Sequence, residues 1–125
     1  MKALFFEPTE DSPKIFLDPD SGRLLVEGRS FMEDTTPFHQ AIISWLRNYF
    51  QEPQKSTVLE LEIDYLNTSS TKMLIDILFE LNKFYIFGNE VTVVWRYYQQ
   101  DEDMEDLGHE LEEMVDVPFQ FGVLV

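Results

Sequence analysis

Thr57-Val58-Leu59-Glu60-Leu61-Glu62-Ile63-Asp64-Tyr65, followed one residue later by Asn67-Thr68-Ser69-Ser70-Thr71, is the stretch from which the fold is read. Leu59, Leu61, Ile63 and Tyr65 fall on one side of an extended chain, and Glu60, Glu62 and Asp64 on the other. That period of two is the pattern of a strand. The carboxylates on alternate positions imply that one face is solvated or meets a partner, while the other is buried. The small polar residues then end the alternation. Beyond them Leu74, Ile77, Leu78, Leu81 and Phe84 or Tyr85 recur at helical spacing, as far as Gly88-Asn89. The segment therefore reads as strand, hydroxyl-rich turn, helix.

The same reading extends in both directions. Downstream, Val91 to Tyr97 is a strand, and Asp101 to Asp116 is a helix with Met104, Leu107, Leu111, Met114 and Val115 on one face. Pro118 ends that helix, and Phe119 to Val125 closes as a strand. Upstream, Thr35-Thr36-Pro37 opens a helix, with a hydroxyl for the N-cap and Pro at the first helical position. Its stripe is Phe38, Ala41, Ile42, Trp45, Leu46, Tyr49 and Phe50, ending near Pro53. Before it, Ala3–Phe6, Lys14–Leu17 and Arg23–Glu27 are short strands. The last two are joined as a hairpin by Asp18-Pro19-Asp20-Ser21-Gly22. Strands alternating with helices predict an α/β domain over residues 1–125: a mixed sheet, right-handed crossovers, and helices mainly on one face.

Composition narrows the function. At 125 residues and 14.8 kDa the chain has room for one core, and 44% hydrophobic content with eleven Phe supplies it. Acidic residues outnumber Lys and Arg by 24 to 9, a net charge of −15. Such a surface repels nucleic-acid backbones and anionic lipid, which argues against both as partners. With no cysteine, disulfides, thiolate chemistry and Cys-held metals are excluded. No stretch reaches the roughly 20 apolar residues of a membrane span, and Met1 to Pro8 lacks a signal peptide's apolar region. The expected location is the cytoplasm.

Catalytic patterns fail one after another. Five glycines, at positions 22, 28, 88, 108 and 122, cannot write a phosphate-binding loop or a dinucleotide fingerprint. His39 and His109 have no second histidine at helical spacing. Asp101 to Glu112 matches part of a calcium-loop spacing, and a divalent-cation site or metal-dependent enzyme built on residues 101–116 is the competing reading. Asp106, however, stands where the sharp turn needs Gly, and the apolar period runs on as a helix with carboxylates at its N-terminus. No catalytic residue, metal ligand or cofactor is expected. What stands out is the hydroxyl run: one residue suffices to cap a helix, so the run predicts surplus hydroxyls exposed where an anion is tolerated. No general base accompanies them, so a Ser or Thr nucleophile has no visible activator; from spacing alone helix capping is the stronger reading of the run and phosphorylation a minority one.

The stretch from Leu59 through Leu78, with Tyr65-Leu66-Asn67-Thr68-Ser69-Ser70 at its centre, resembles the SiaC family of bacterial regulatory phosphoproteins. The likeness extends to the early hairpin, the Trp45 helix, Val94-Trp95-Arg96-Tyr97 and Pro118-Phe119. It implies a fold similar to STAS domains, the anti-sigma-factor antagonists, whose corresponding turn reads Asp-Ser-Ser-Gly. Asn67 then stands at the Asp position, Thr68 at the phosphoacceptor, Ser69 at the second Ser and Ser70 at the Gly. The resemblance implies a switch in which a kinase of the histidine-kinase-like ATPase fold modifies Thr68 and a PP2C-type phosphatase reverses it. The unmodified form would bind and activate a diguanylate cyclase, with cyclic di-GMP output and biofilm behaviour following. The expected contact surface is Asn67, Thr68, Ser69, Ser70 and Lys72. Ser69 stays open as the alternative acceptor.

Overall fold

The alternating strand at the centre of the sequence is also the middle of the sheet. The structure, a computed structural model, describes all residues from Met1 to Val125. Its elements run β1 (Leu4–Phe6), β2 (Lys14–Asp18), β3 (Arg23–Ser30), α1 (Thr36–Tyr49), β4 (Thr57–Leu66), α2 (Thr68–Ile86), β5 (Val91–Tyr98), α3 (Glu102–Glu113) and β6 (Phe119–Leu124). The six strands lie in sequence order. β1, β2 and β3 are antiparallel, whereas β3 to β6 are parallel. Because each crossover steps the same way across the sheet, the right-handed rule puts all three helices on one face.

The packing bears this out. Ile15, Leu17, Leu24, Val26, Leu59, Leu61, Ile63, Val91, Val93 and Trp95 of the strands share one core with Trp45 and Tyr49 of α1, Leu74 and Leu78 of α2, and Leu111 of α3. The mixed α/β sheet with helices on one face is as the sequence indicates. The hairpin also forms where expected. Asp18 accepts from Asp20 N at 3.0 Å and Ser21 Oγ at 2.8 Å, and Gly22 turns with φ of 73°. The Ser21 hydroxyl, then the Asp20 N–H, hold the Asp18 carboxyl below its ordinary value.

Three local expectations are revised. Thr35 is the N-cap of α1 but its hydroxyl caps nothing; Asp34 Oδ1 takes the Thr36 N–H instead, at 3.0 Å. α3 stops at Glu113 rather than Asp116, because Asn82 Oδ1 on α2 accepts from Asp116 N at 2.8 Å and Val117 N at 3.0 Å. Those two N–H groups are thereby drawn off the helix. Tyr65 does not continue the inward row. Gly28 pairs with Ile63 and Arg29 with Tyr65, so Asp64 is the extra residue of a β-bulge. The bulge turns Tyr65 outward, leaving it 46% exposed.

The outer face of the sheet is where the alternating carboxylates lie, and two of them, Glu60 and Glu62, find partners within the chain. Arg23 Nη2 meets Glu60 Oε2 at 2.6 Å, while Arg96 Nη1 meets Glu62 Oε1 at 2.9 Å. Between α1 and α2, Glu80 is buried against Arg47 at 2.9 Å and Lys83 at 3.3 Å. The Arg47 hydrogen bond, helped by Lys83 and opposed by burial, lowers the Glu80 carboxyl from its ordinary 4.5. A carboxylate with a depressed folded pKa adds stability above its unfolded value and loses it as pH falls through the folded one.

Wild-type protein should therefore lose an increment of stability below about pH 4.5 that Glu80→Gln lacks, read from Tm against pH. A second outcome concerns α3, where a Cβ on Gly108 would lie 2.5 Å from Trp95 Nε1, itself bonded to Met104 O at 3.0 Å. Gly108→Ala should cost about 1–3 kcal/mol in urea denaturation through overpacking. Gly122→Ala should be tolerated better, because its Cβ meets nothing nearer than Arg96 Cγ at 3.6 Å.

Candidate functional site

α2 starts where β4 leaves the sheet, at the carboxyl end of the parallel strands, the usual place for sites in open α/β sheets. Asn67 is its N-cap, with extended backbone (φ −80°, ψ 177°). Its Oδ1 accepts from Ser70 N at 3.0 Å, the ordinary service of a capping side chain. The other end of the amide works in tertiary structure, with Nδ2 donating to Met32 O at 2.9 Å. The backbone N–H donates to Ser30 O at 3.1 Å. One residue thus caps the helix and fastens it to the chain leaving β3.

The hydroxyls behind Asn67 separate by helical geometry. Ser69 Oγ donates to Met32 O at 3.2 Å, the carbonyl that already receives Asn67. Ser70 is fully buried, and its hydroxyl pairs with that of Ser30. Thr71 Oγ1 donates back to Asn67 O at 3.0 Å. Thr68 alone is exposed and without a hydrogen bond for its hydroxyl. Lys72, one turn further on, is also exposed and makes no ion pair.

The expected surplus of free hydroxyls is therefore corrected to one. Ser70 leaves the expected contact surface, since its side chain faces the core; Ser69 and Asn67 are half-buried and engaged. The first turn of α2 holds no acidic residue, so the positive end of the helix is not neutralised from within.

Next to this corner is a feature that sequence reading missed. Phe31, 44% exposed, stacks on the outward-turned Tyr65 with ring centroids 4.6 Å apart. The Arg29 guanidinium sits 5.9 Å over Phe31. The pair depends on the bulge at Asp64, which no local pattern announces. Gly28, at φ 113°, is the nearest signal. An open cleft beside it is lined by Asp11, Glu33 and Asp34 among others, with no basic residue in its walls.

The remaining sequence candidates stay apart. His39 lies 3.3 Å from Asp76. His109 stacks on Phe121 at 4.1 Å and meets Glu112 at 3.6 Å. The acidic segment from Glu102 to Glu113 is helix α3, so its carboxylates radiate around an axis, and no three His, Cys, Asp or Glu side chains are grouped to hold a metal. Asp101 Oδ1 instead caps α3 through Met104 N at 3.1 Å.

Comparison with known proteins gives a consistent answer. Residues 6–124 match the profile described as SiaC family regulatory phosphoprotein. A protein of Pseudomonas aeruginosa strain UCBPP-PA14 is 32% identical over 119 residues, which cover 95% of this chain and 94% of that one. SiaC of Pseudomonas aeruginosa superimposes with a TM-score of 0.91 at 30% identity, over 99% of this chain and 100% of its own. A chain in the crystal structure of diguanylate cyclase SiaD in complex with its activator SiaC, from Pseudomonas aeruginosa, does so equally. Its TM-score is 0.91 at 30% identity, over 97% and 99% of the two chains.

The hydroxyl sorting has a measurable consequence for stability. Ser70→Ala should cost about 1–3 kcal/mol by stranding the buried Ser30 hydroxyl. Adding Ser30→Ala should recover part of that loss, because both partners are then removed. Thr68→Ala should change stability by less than about 0.5 kcal/mol, being exposed and unbonded. Urea titrations of the four proteins check all three outcomes.

Proposed function

This chain belongs to the SiaC family of regulatory phosphoproteins, and from that premise we propose that it is a non-catalytic signalling adaptor of the cytoplasm, switched at Thr68. In its unmodified form it binds and activates a diguanylate cyclase, and so feeds cyclic di-GMP output and biofilm behaviour. A kinase of the histidine-kinase-like ATPase fold adds the phosphate, and a PP2C-type phosphatase removes it. The observation that carries the reading is the state of Thr68. Of the hydroxyls at this helix start, it is the one that is exposed and free of hydrogen bonds.

The physics of the switch follows from that placement. A phosphate of about −1.5 to −2 charge at a helix N-terminus meets unpaired N–H groups and the positive end of the dipole, so α2 survives modification. No buried bond is broken, because the Thr68 hydroxyl makes none. The change is confined to the surface. A partner that docks over Asn67, Thr68, Ser69 and Lys72 must strip water from the new dianion, and affinity falls. The relative's complex between an activator and its cyclase supports an effector protein as that partner.

Intact mass after incubation with the kinase and ATP should show one added phosphate, absent in Thr68→Ala. Titration against the cyclase should show affinity reduced about tenfold or more, about 1.4 kcal/mol, for the phosphorylated form. Equal binding of the two forms would refute the switch. Phosphate retained in Thr68→Ala and lost in Ser69→Ala would move the acceptor by one residue.

A further inference from the structure

The two edges of the sheet are finished differently. β1 is three residues long, lies between Lys2 and Glu7-Pro8, and is tied down where Trp45 Nε1 donates to Lys2 O at 3.0 Å. Short length, flanking charge and proline are the usual means of keeping an edge from pairing. β6 lacks them. It is six residues long and has no proline within it, and Val117 to Val125 carries no charge in a chain of which 26% is charged.

The backbone groups of this edge are in a fixed phase. Val93 N donates to Pro118 O at 2.9 Å, and from there β6 runs parallel to β5 as far as Leu124. Successive residues of a strand turn their N–H and C=O to opposite sides, so Gln120, Gly122 and Leu124 face β5. Phe119, Phe121 and Val123 face away from it. No strand lies beyond β6, and no turn, loop or cap hydrogen bond reaches those three residues. α3 packs over β4 and β5, inward of the edge.

A row of donors and acceptors at strand spacing is met by another strand, and a second β6 fits it. A two-fold axis at Phe121 sets that residue opposite Phe121 of the partner subunit, and Phe119 opposite Val123 of the partner subunit. Outward residues then meet outward residues at all three positions, as the hydrogen-bonded pairs of an antiparallel ladder require. The facing side chains are apolar, and no charge is buried. Two copies of net charge −15 repel one another, and an uncharged edge is where that repulsion adds least.

We propose that two copies of this chain pair through β6, joining their six-stranded sheets into one. A single strand pair buries less than the roughly 1,200–2,000 Å² of a standard interface, so the dimer is weak and reversible. The pairing involves neither Thr68 nor its modification, and it stands apart from the switch.

Sedimentation velocity from about 10 μM to about 1 mM should show a monomer–dimer equilibrium. Raising NaCl from about 50 to about 500 mM should tighten it about threefold, because the repulsion between the two copies is screened. Amide exchange should slow with concentration at Phe119, Phe121 and Val123, and stay unchanged at β1. Val123→Pro removes one outward N–H and spares the ladder to β5; it should raise the dimer Kd about tenfold or more with Tm unchanged. Val123→Lys lessens the net negative charge, yet it should also weaken the dimer about tenfold, because it guards the edge. A monomer at every concentration would overturn the proposal. So would a dimer in which those three amides exchange as in the monomer, or one that both variants leave unchanged.

Discussion

A sheet covered on one face only has to separate its residues by side, and that separation governs the whole molecule. Each strand from β3 to β6 lies beside the one before it, so α1, α2 and α3 return over the same surface. Leu59, Leu61 and Ile63 go under the helices, while Glu60 and Glu62 stay on the open side, where Arg23 and Arg96 hold them. Where the alternation fails, at the Asp64 bulge, the chain is leaving the sheet for the helix that bears Thr68. The irregularity and the candidate site are neighbours for a geometric reason.

The junction of β4 and α2 shows how a polar run can be consumed by structure. A helix start carries unpaired N–H groups, and the strand before it must also end its ladder. Asn67 meets both needs, through Ser70 N on one side and Met32 O on the other. Ser70 then faces inward to Ser30, and Ser69 reaches the same Met32 carbonyl. Thr68 is left over because the first helical position points away from β3 and the core. Its availability results from the work of its neighbours. A phosphate on this residue would act without disturbing the packing beneath, which suits a surface switch.

The charge of −15 is distributed unevenly in its consequences. On the sheet face Glu60 and Glu62, and between α1 and α2 Glu80, are matched by arginine or lysine, and those three carboxylates are structural. On α3 it is unmatched, apart from the contact of Glu112 with His109.

Sequence by itself determined the order of elements, the one-sided burial and the hydroxyl-rich helix start, because hydrophobic period and capping preference are local properties. It placed Thr68 at the start of α2, but it had no means of sorting Thr68 from Ser69 and Ser70, whose fates depend on Ser30 and Met32 far back in the chain. The outward turn of Tyr65 and its stack on Phe31 were illegible for the same reason, since a bulge is a relation between two strands. Glu80 reads as an ordinary exposed helix residue until Arg47 of α1 is packed against it. Local pattern decides which way a residue faces along its own element. Only the packed tertiary structure decides what it meets there, and so which polar group is spent and which remains free.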